Sequence, residues 1–472
     1  MRSSTICALL VLFLLAAHAT FRVHFLPAFV PAVGLDFGQH RVELSISDIQ
    51  HQLDGAYYED PNTTRGAYFM EAVRIPLDGD RLRSMGVVTL EADGKDDEAE
   101  FSRYRPLIPK WFCHVHHRKW FKTYGHFGEF TKLCDSFAYA ESNFSVEFQK
   151  EATFRTVGKS EARTGMVVGN AIVTKEGRII VESGASIQDG QMCYGKSKLA
   201  LSKHNANCTW GSTTCILTVE DDVVVASGIF GSERAHFFKE FLPKLSPFLD
   251  KLYKHQHIKV QIKTKHSRRP DGFINKTFEL LGIDPSRLIY GDVGAKRAWF
   301  SLPSTCGMVV DQFWRLKRIR DALIAGAGSH DSQNQGSVIV LERRNTAQRF
   351  WSDPQGYEEL FDAVRKGVPR NIPVIRFSDR NETLMGCLEC QINLFRNALA
   401  AIGVHGAGLS NTMYMNPGTL VAEIMQTSIQ NGEYMMNAHA FGQKYYMHPK
   451  HLVDKFNFTR ITIVLQYYFK GL

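Results

Sequence analysis

Hydrophobic and polar positions divide the chain into distinct textures. Ser3–Phe21 is an uncharged, largely apolar run behind Arg2. Residues 23–110 are poorly periodic. Pro27, Pro31, Pro61 and Pro76 punctuate them and Asp93–Glu100 is acidic enough to stay solvated, so a stem or extended arm is expected. From Trp111 short apolar runs appear at Gly165–Val173, Arg178–Val181, Cys215–Val219 and Asp222–Ala226, which read as strands between Gly, Asn and Asp turns. Beyond residue 230 helical and strand spacings alternate. His236–Tyr253 places Phe237, Phe241, Leu245, Phe248, Leu249 and Leu252 at helical intervals. Further helices are expected at Gly272–Leu281, Phe313–Ala325, Gln355–Arg365, Glu389–Leu399 and Leu409–Met415. Strands are expected at His257–Ile262, Arg287–Tyr290, Ser337–Leu341, Val374–Arg376, Ala400–Val404 and Thr419–Ile424. Such alternation predicts an α/β architecture, a parallel sheet covered by helices on both faces.

The Ser3–Phe21 run has the positive flank of a secretory signal, and Ala17-His18-Ala19 offers a small-residue cleavage site. Its length also suits a single uncleaved N-terminal membrane anchor. Either reading places the rest in the lumen of the secretory pathway, Golgi or endoplasmic reticulum. Asn-X-Ser/Thr sequons at Asn62, Asn143, Asn207, Asn275, Asn381 and Asn457 agree with that compartment. Outside the targeting run stand Cys113, Cys134, Cys193, Cys208, Cys215, Cys306, Cys387 and Cys390, an even set whose pairing the sequence does not choose. Cys387-Leu-Glu-Cys390 has the spacing of a redox pair, yet no strand leads directly into it, and a structural role is the expectation.

Composition excludes disordered and fibrous classes, with 44% hydrophobic and 22% charged residues. The net charge of +8 is unevenly spread: residues 41–100 carry 14 acids against 6 bases, while residues 101–472 sum to +15. With no dense Lys/Arg block, no aromatic RNA-binding strand and no finger spacing, nucleic acid is not the expected partner. A phosphorylated small molecule fits a basic body better.

Three places could carry chemistry. His405-Gly406-Ala407-Gly408 lies between a strand end and a helix start, where backbone amides can approach a phosphate. Glu423, at the end of the following strand, could accept ribose hydroxyls. Arg343, Arg344 and Arg349 follow the strand Ser337–Leu341, and guanidiniums there suit a diphosphate. His236 and Glu240 are four residues apart at a helix start, a spacing that can supply a general base. Asp78-Gly79-Asp80 and His114-Val115-His116-His117 invite metal readings, but the first sits in the acidic arm and the second lacks finger-spaced partners.

Taken in order, these segments resemble glycosyltransferase family 61. His236-Phe237-Phe238-Lys239-Glu240-Phe241-Leu242-Pro243-Lys244-Leu245 is similar to its H-[FW]-L-x-E-x-L-P-x-L segment. Phe278–Ile283, Val338–Leu341 with the arginines, Gln391-Ile392-Asn393-Leu394-Phe395, and His405–Asn411 through Pro417-Gly418 to Glu423 resemble its later blocks. The resemblance implies a GT-B fold of two Rossmann-like domains facing a cleft. An acceptor-side domain would span 111–330 and a nucleotide-sugar-binding domain 331–472, behind a targeting segment at 1–22 and an acidic arm at 23–110. It implies an inverting transferase taking UDP-xylose, UDP-N-acetylglucosamine or UDP-arabinose to a glycan or glycoprotein hydroxyl, without a metal or other cofactor. Arg343, Arg344 and Arg349 would neutralise the diphosphate, His405, Gly406, Ala407, Gly408 and Asn411 would line the nucleotide turn, and Glu423 would hold ribose. Glu240 or His236 would deprotonate the acceptor. Cys390 departs from the pattern, standing where the family has Glu before Gln391. A non-catalytic glycan-binding protein on the same fold is the alternative, and a thiol oxidoreductase using Cys387 and Cys390 a third.

Overall fold

The computed structural model describes residues 35–37, 40–42, 88–91, 99–104, 150–156, 164–182, 186–187, 210–211, 217–228, 234–263, 272–301, 313–328, 336–343, 355–424, 433–448 and 457–472. The Ser3–Phe21 run, Asp78–Asp80, His114–His117 and the sequons at Asn62, Asn143 and Asn207 lie outside these residues. The chain forms two compact units, Met1–Phe69 and Met70–Leu472. In the first, β1 (Leu35–Phe37) and β2 (His40–Val42) form an antiparallel ladder.

The second unit contains β3 (Val88–Glu91), a separate ladder of β4 (Ala99–Tyr104) with β5 (Lys150–Thr156), and then β6 (Thr164–Val173), β7 (Ile179–Val181) and β8 (Ser186–Ile187). With β9 (Val219–Val225), β10 (Lys259–Ile262), β11 (Leu288–Tyr290) and β12 (Val293–Ser301) they build a sheet ordered β11-β10-β9-β12-β6-β7-β8, β3 pairing with β6. Strands β11, β10, β9 and β12 are parallel, and β6 runs against β12. Part of the expected stem therefore contributes a strand to this sheet.

A turn expected near Glu220-Asp221 does not occur, because β9 is one strand from Val219 to Val225. Val223, Val224 and Val225 are fully buried, and a central position between β10 and β12 satisfies the backbone on both sides. Asp222 is tolerated there because Arg297 Nε donates to it at 2.8 Å and Trp299 Nε1 at 2.7 Å. Those hydrogen bonds outweigh burial and hold its carboxyl below the ordinary range.

The helical run after β9 buries all six expected apolar positions but is not one regular helix. It opens as Arg234–His236, widens to a π turn at Phe237–Phe241, tightens to a 3-10 segment at Leu242–Phe248 and regains α geometry at Leu249–Lys254. Pro243 and Pro247 lack the amide hydrogens an α-helix needs. The π turn is packed on all sides, with five consecutive residues buried, Phe237 to Phe241, Lys239 and Glu240 among them.

The second sheet contains β13 (Ser337–Glu342), β14 (Val374–Ser378), β15 (Ala398–Val404), β16 (Leu420–Ile424) and β17 (Lys444–His448), all parallel, in the order β14-β13-β15-β16-β17. Successive side chains alternate between two cores. Val338, Val340, Ala400, Ile402, Leu420 and Ala422 pack with Leu360 and Val364 of the helix Gln355–Gly367 and Ile461 and Leu465 of the helix Thr459–Lys470. Ile339, Leu341, Ala401 and Val421 pack on the other face with Ile392 and Phe395 of the helix Leu388–Arg396. That second core continues without a break to Val224, Val260 and Ile262 of the first sheet. The helix expected to reach Leu399 stops at Arg396, since Ala398 already pairs with Ser337 in the sheet. Strands β12 and β17 and the last helix lack a counterpart among the predicted elements.

Candidate active site

Both sheets reverse their strand order next to a motif. In the second, β13 leads outward to β14 while β15, β16 and β17 follow on the other side, so the switch lies between β13 and β15. In the first, β9 leads to β10 and β11 on one side and β12 lies on the other. Crevices beyond the C-terminal ends of strands at such points are where open α/β sheets bind ligands.

The β13 and β15 ends carry Arg343 and His405, which the strand pairing brings together as the sequence reading required. Arg343 Nη1 donates to the His405 carbonyl at 3.2 Å. Its backbone is fixed by Tyr357, whose hydroxyl donates to Arg343 O at 2.7 Å. Gly406 adopts φ +155°, and a Cβ there would stand 2.0 Å from Arg343 Nη1. Only glycine lets the turn pass that close beneath the guanidinium. The 3-10 turn Ala407–Tyr414 then begins, with Gly408 against Leu341 and Asn411 buried. Arg344 and Arg349 lie outside the described residues.

Glu423 does not stand open to a ribose. It is fully buried, one oxygen accepting from His405 Nδ1 and the other from the Tyr445 hydroxyl. Burial and the facing carboxylate push the Tyr445 phenol well above its ordinary range, so it stays protonated and donates. Glu423 thus fixes the His405 ring with Nδ1 as the donor, leaving Nε2 as the other ring nitrogen. Tyr434 flanks the same ring edge-to-face at 5.2 Å, and its hydroxyl donates to Gly406 O at 2.6 Å.

The third motif reaches this turn from the first sheet. Ser227-Gly228 follows the end of β9, and any Cβ on residue 228 would overlap Phe241, so the helical run can fold back closely. Its first turn, Arg234–His236, packs against Ala407–Tyr414. His236 Nδ1 and Glu240 Oε1 are 2.7 Å apart, with His236 part-exposed and Glu240 buried behind it. Lys239 is buried with Nζ 4.3 Å from the Tyr434 ring centroid. Burial lowers its ammonium to about 7, against the attraction of Glu240 and Glu423. Arg234 donates to Gln391 Oε1, and Gln391 Nε2 donates to Leu384 O at 2.7 Å.

Sequence reasoning did not single out Lys239, Arg234, Tyr434 or Tyr445. Lys239 stands at a variable position of its motif, and its burial depends on packing around the π turn. The two tyrosines lie beyond the last recognised block and carry no local signal. Among the remaining sequons, Asn381 caps a helix and is exposed, Asn457 is exposed, and Asn275 is half-buried in a helix whose Thr277 is fully buried.

Chemically, a part-exposed His–Glu pair faces a turn rich in backbone amides, with an arginine and a buried lysine beside it. Residues 235–422 match the model of the family described as Glycosyltransferase 61. The match begins one residue before His236 and stops one residue before Glu423, so it includes His236, Glu240, Arg343 and the His405 turn. No curated protein matches the chain. Through residues 235–422, which contain both strand switch points' motifs, the chain is similar to the glycosyltransferase 61 family.

Proposed function

We propose that the protein is an inverting, UDP-sugar-dependent glycosyltransferase of the GT-B type. It would move xylose or N-acetylglucosamine to a hydroxyl of a glycan or glycoprotein in the secretory pathway, without a metal ion. The observation that carries this reading is the meeting of the two motif-bearing edges: the helix start with His236–Glu240 packs on the turn held by Arg343.

In this reading the acceptor hydroxyl gives its proton to His236 as its oxygen bonds to the sugar C1, and the C1–O bond to the diphosphate breaks. Glu240, buried behind the imidazole, orients the ring and stabilises the imidazolium. This assigns proton abstraction to the part-exposed His236 rather than to Glu240. Arg343 and the amides opening Ala407–Tyr414 stabilise the leaving UDP. Glu423 acts through His405, because both its oxygens are engaged within the protein.

The test is a panel of UDP-sugars with glycan acceptors, following UDP release and product mass, with EDTA present in one arm. His236→Ala should lower kcat by at least a hundredfold with UDP binding retained. Arg343→Ala should weaken UDP binding instead. Firm UDP binding with no transfer to any acceptor would favour the non-catalytic reading, and full turnover by His236→Ala would remove the assigned base.

A further inference from the structure

Cys387 and Cys390 form a disulfide with Cα atoms 5.2 Å apart, at the corner where the helix Glu382–Gly386 ends and Leu388–Arg396 begins. Cys390 is exposed and Cys387 half-buried. Cys387 Sγ also accepts the Cys390 amide hydrogen at 3.2 Å. This arrangement differs from that of a structural staple. The bridge closes a very short loop, so it removes little entropy from the unfolded chain. One sulfur is open to attack, and the other would leave as a thiolate on a first-turn amide of a nine-residue helix, where negative charge is favoured.

The corner is tied directly to the proposed active site. Gln391, the next residue, is buried. Its side chain donates to Leu384 O at 2.7 Å and Met385 O at 3.2 Å, and accepts from Arg234. Arg234 lies two residues before His236 in the same helical turn. Glu389, between the two cysteines, pairs with Lys276 of the helix Gly272–Leu280 at 3.1 Å. The short disulfide loop therefore grips two helices of the first sheet's half.

The geometry points to Cys387–Cys390 as a reversible redox site that sets the alignment of the helix start bearing His236 and Glu240. The co-reactant is a protein dithiol or glutathione. Its thiolate attacks Cys390 Sγ, the Cys387–Cys390 bond breaks, and Cys387 departs as the thiolate. A second reductant thiol then attacks the mixed disulfide and releases Cys390. The reductant leaves as a disulfide, and its two protons and two electrons end on the two cysteines. With the bond open, the corner from which Gln391 holds Arg234 is no longer closed covalently, and the first turn loosens.

The full chain, equilibrated across reduced-to-oxidised glutathione mixtures, would be read in two ways. Differential alkylation with mass spectrometry reports Cys387 and Cys390, and hydrogen exchange reports the amides of residues 234–241. Both cysteines should open together as one two-electron couple, with exchange at 234–241 rising at least fivefold in step. The Cys387→Ser/Cys390→Ser variant should show the raised exchange at every mixture. A bridge that stays closed wherever the protein is folded overturns the inference. So does opening without change at 234–241, or a redox response that persists in the double variant. The expected several-fold loss of sugar transfer on reduction rests on the proposed glycosyltransferase activity. If no donor is used in either state, that reading fails, while the exchange data still decide the redox site.

Discussion

Lys239 offers the sharpest quantitative test of the site. Its ammonium is buried above Tyr434, and burial lowers it from 10.5 to about 7 despite nearby Glu240 and Glu423. At about 1.4 kcal/mol per pKa unit, holding the charged form in the folded protein costs roughly 5 kcal/mol. Lys239→Met keeps the length and packing of the side chain without its charge. The expectation at pH 6 is a variant about 5 kcal/mol more stable than wild type, because the shift is already net of the attractions the charged form finds. The sign follows from proton counting. Between about 7 and 10.5 the unfolded chain keeps the lysine proton that the folded chain has lost, so wild-type stability rises with pH across that window. The penalty is complete below 7 and gone above 10.5, where the two proteins should converge. Urea unfolding at pH 6, 8 and 10 measures the difference. A variant less stable at pH 6, or a gap that does not change with pH, refutes the reasoning.

Three other substitutions probe the strand ends and the first sheet. Gly406→Ala should destabilise by about 2 kcal/mol through backbone strain and its collision with Arg343, whereas Gly408→Ala meets only Leu341 at 3.1 Å and should cost less; thermal melts of both check the order. Glu423→Gln preserves shape but replaces the buried carboxylate that anchors His405, and should weaken UDP binding about tenfold by titration calorimetry, near 1.4 kcal/mol. Unchanged affinity would show that His405 needs no anchor. Asp222→Asn should lower stability at pH 7 by about 1–3 kcal/mol through its bonds to Arg297 and Trp299. Because the native carboxyl is held below its ordinary range, that difference should shrink as pH falls below about 4, where the unfolded chain takes up its proton first.

The second sheet was the most legible part of the fold, for a physical reason. Strands β13, β15 and β16 are buried on both faces, so Val338–Leu341, Ala400–Val404 and Leu420–Ile424 are nearly unbroken apolar runs. The His405 turn was legible too, since glycines at a strand end have few other uses. Strand β12 was hidden because Lys296 and Arg297, both exposed, interrupt its apolar run and face Asp221 and Asp222 across the ladder. Those partners are some 75 residues distant in sequence, beyond any local pattern. The irregular run after Arg234 carries the apolar spacing of one helix, but Pro243 and Pro247 deny it the amide hydrogens of a regular one. Glu423 was located correctly, but its burial depends on Tyr445, on a strand that local spacing did not reveal.

The apolar core that continues from Val224 and Val260 to Ile339 and Val421 has a consequence for how the chain could be divided. A cut between residues 328 and 336 would leave each fragment presenting a broad greasy face, so neither should be soluble alone. Mixed together, the fragments should reassemble as tightly as an obligate heterodimer. The same continuity limits how far the halves can part when a substrate enters, because wide opening would wet that face. Substrate exchange should therefore proceed by small adjustments at the strand ends rather than by clamshell motion.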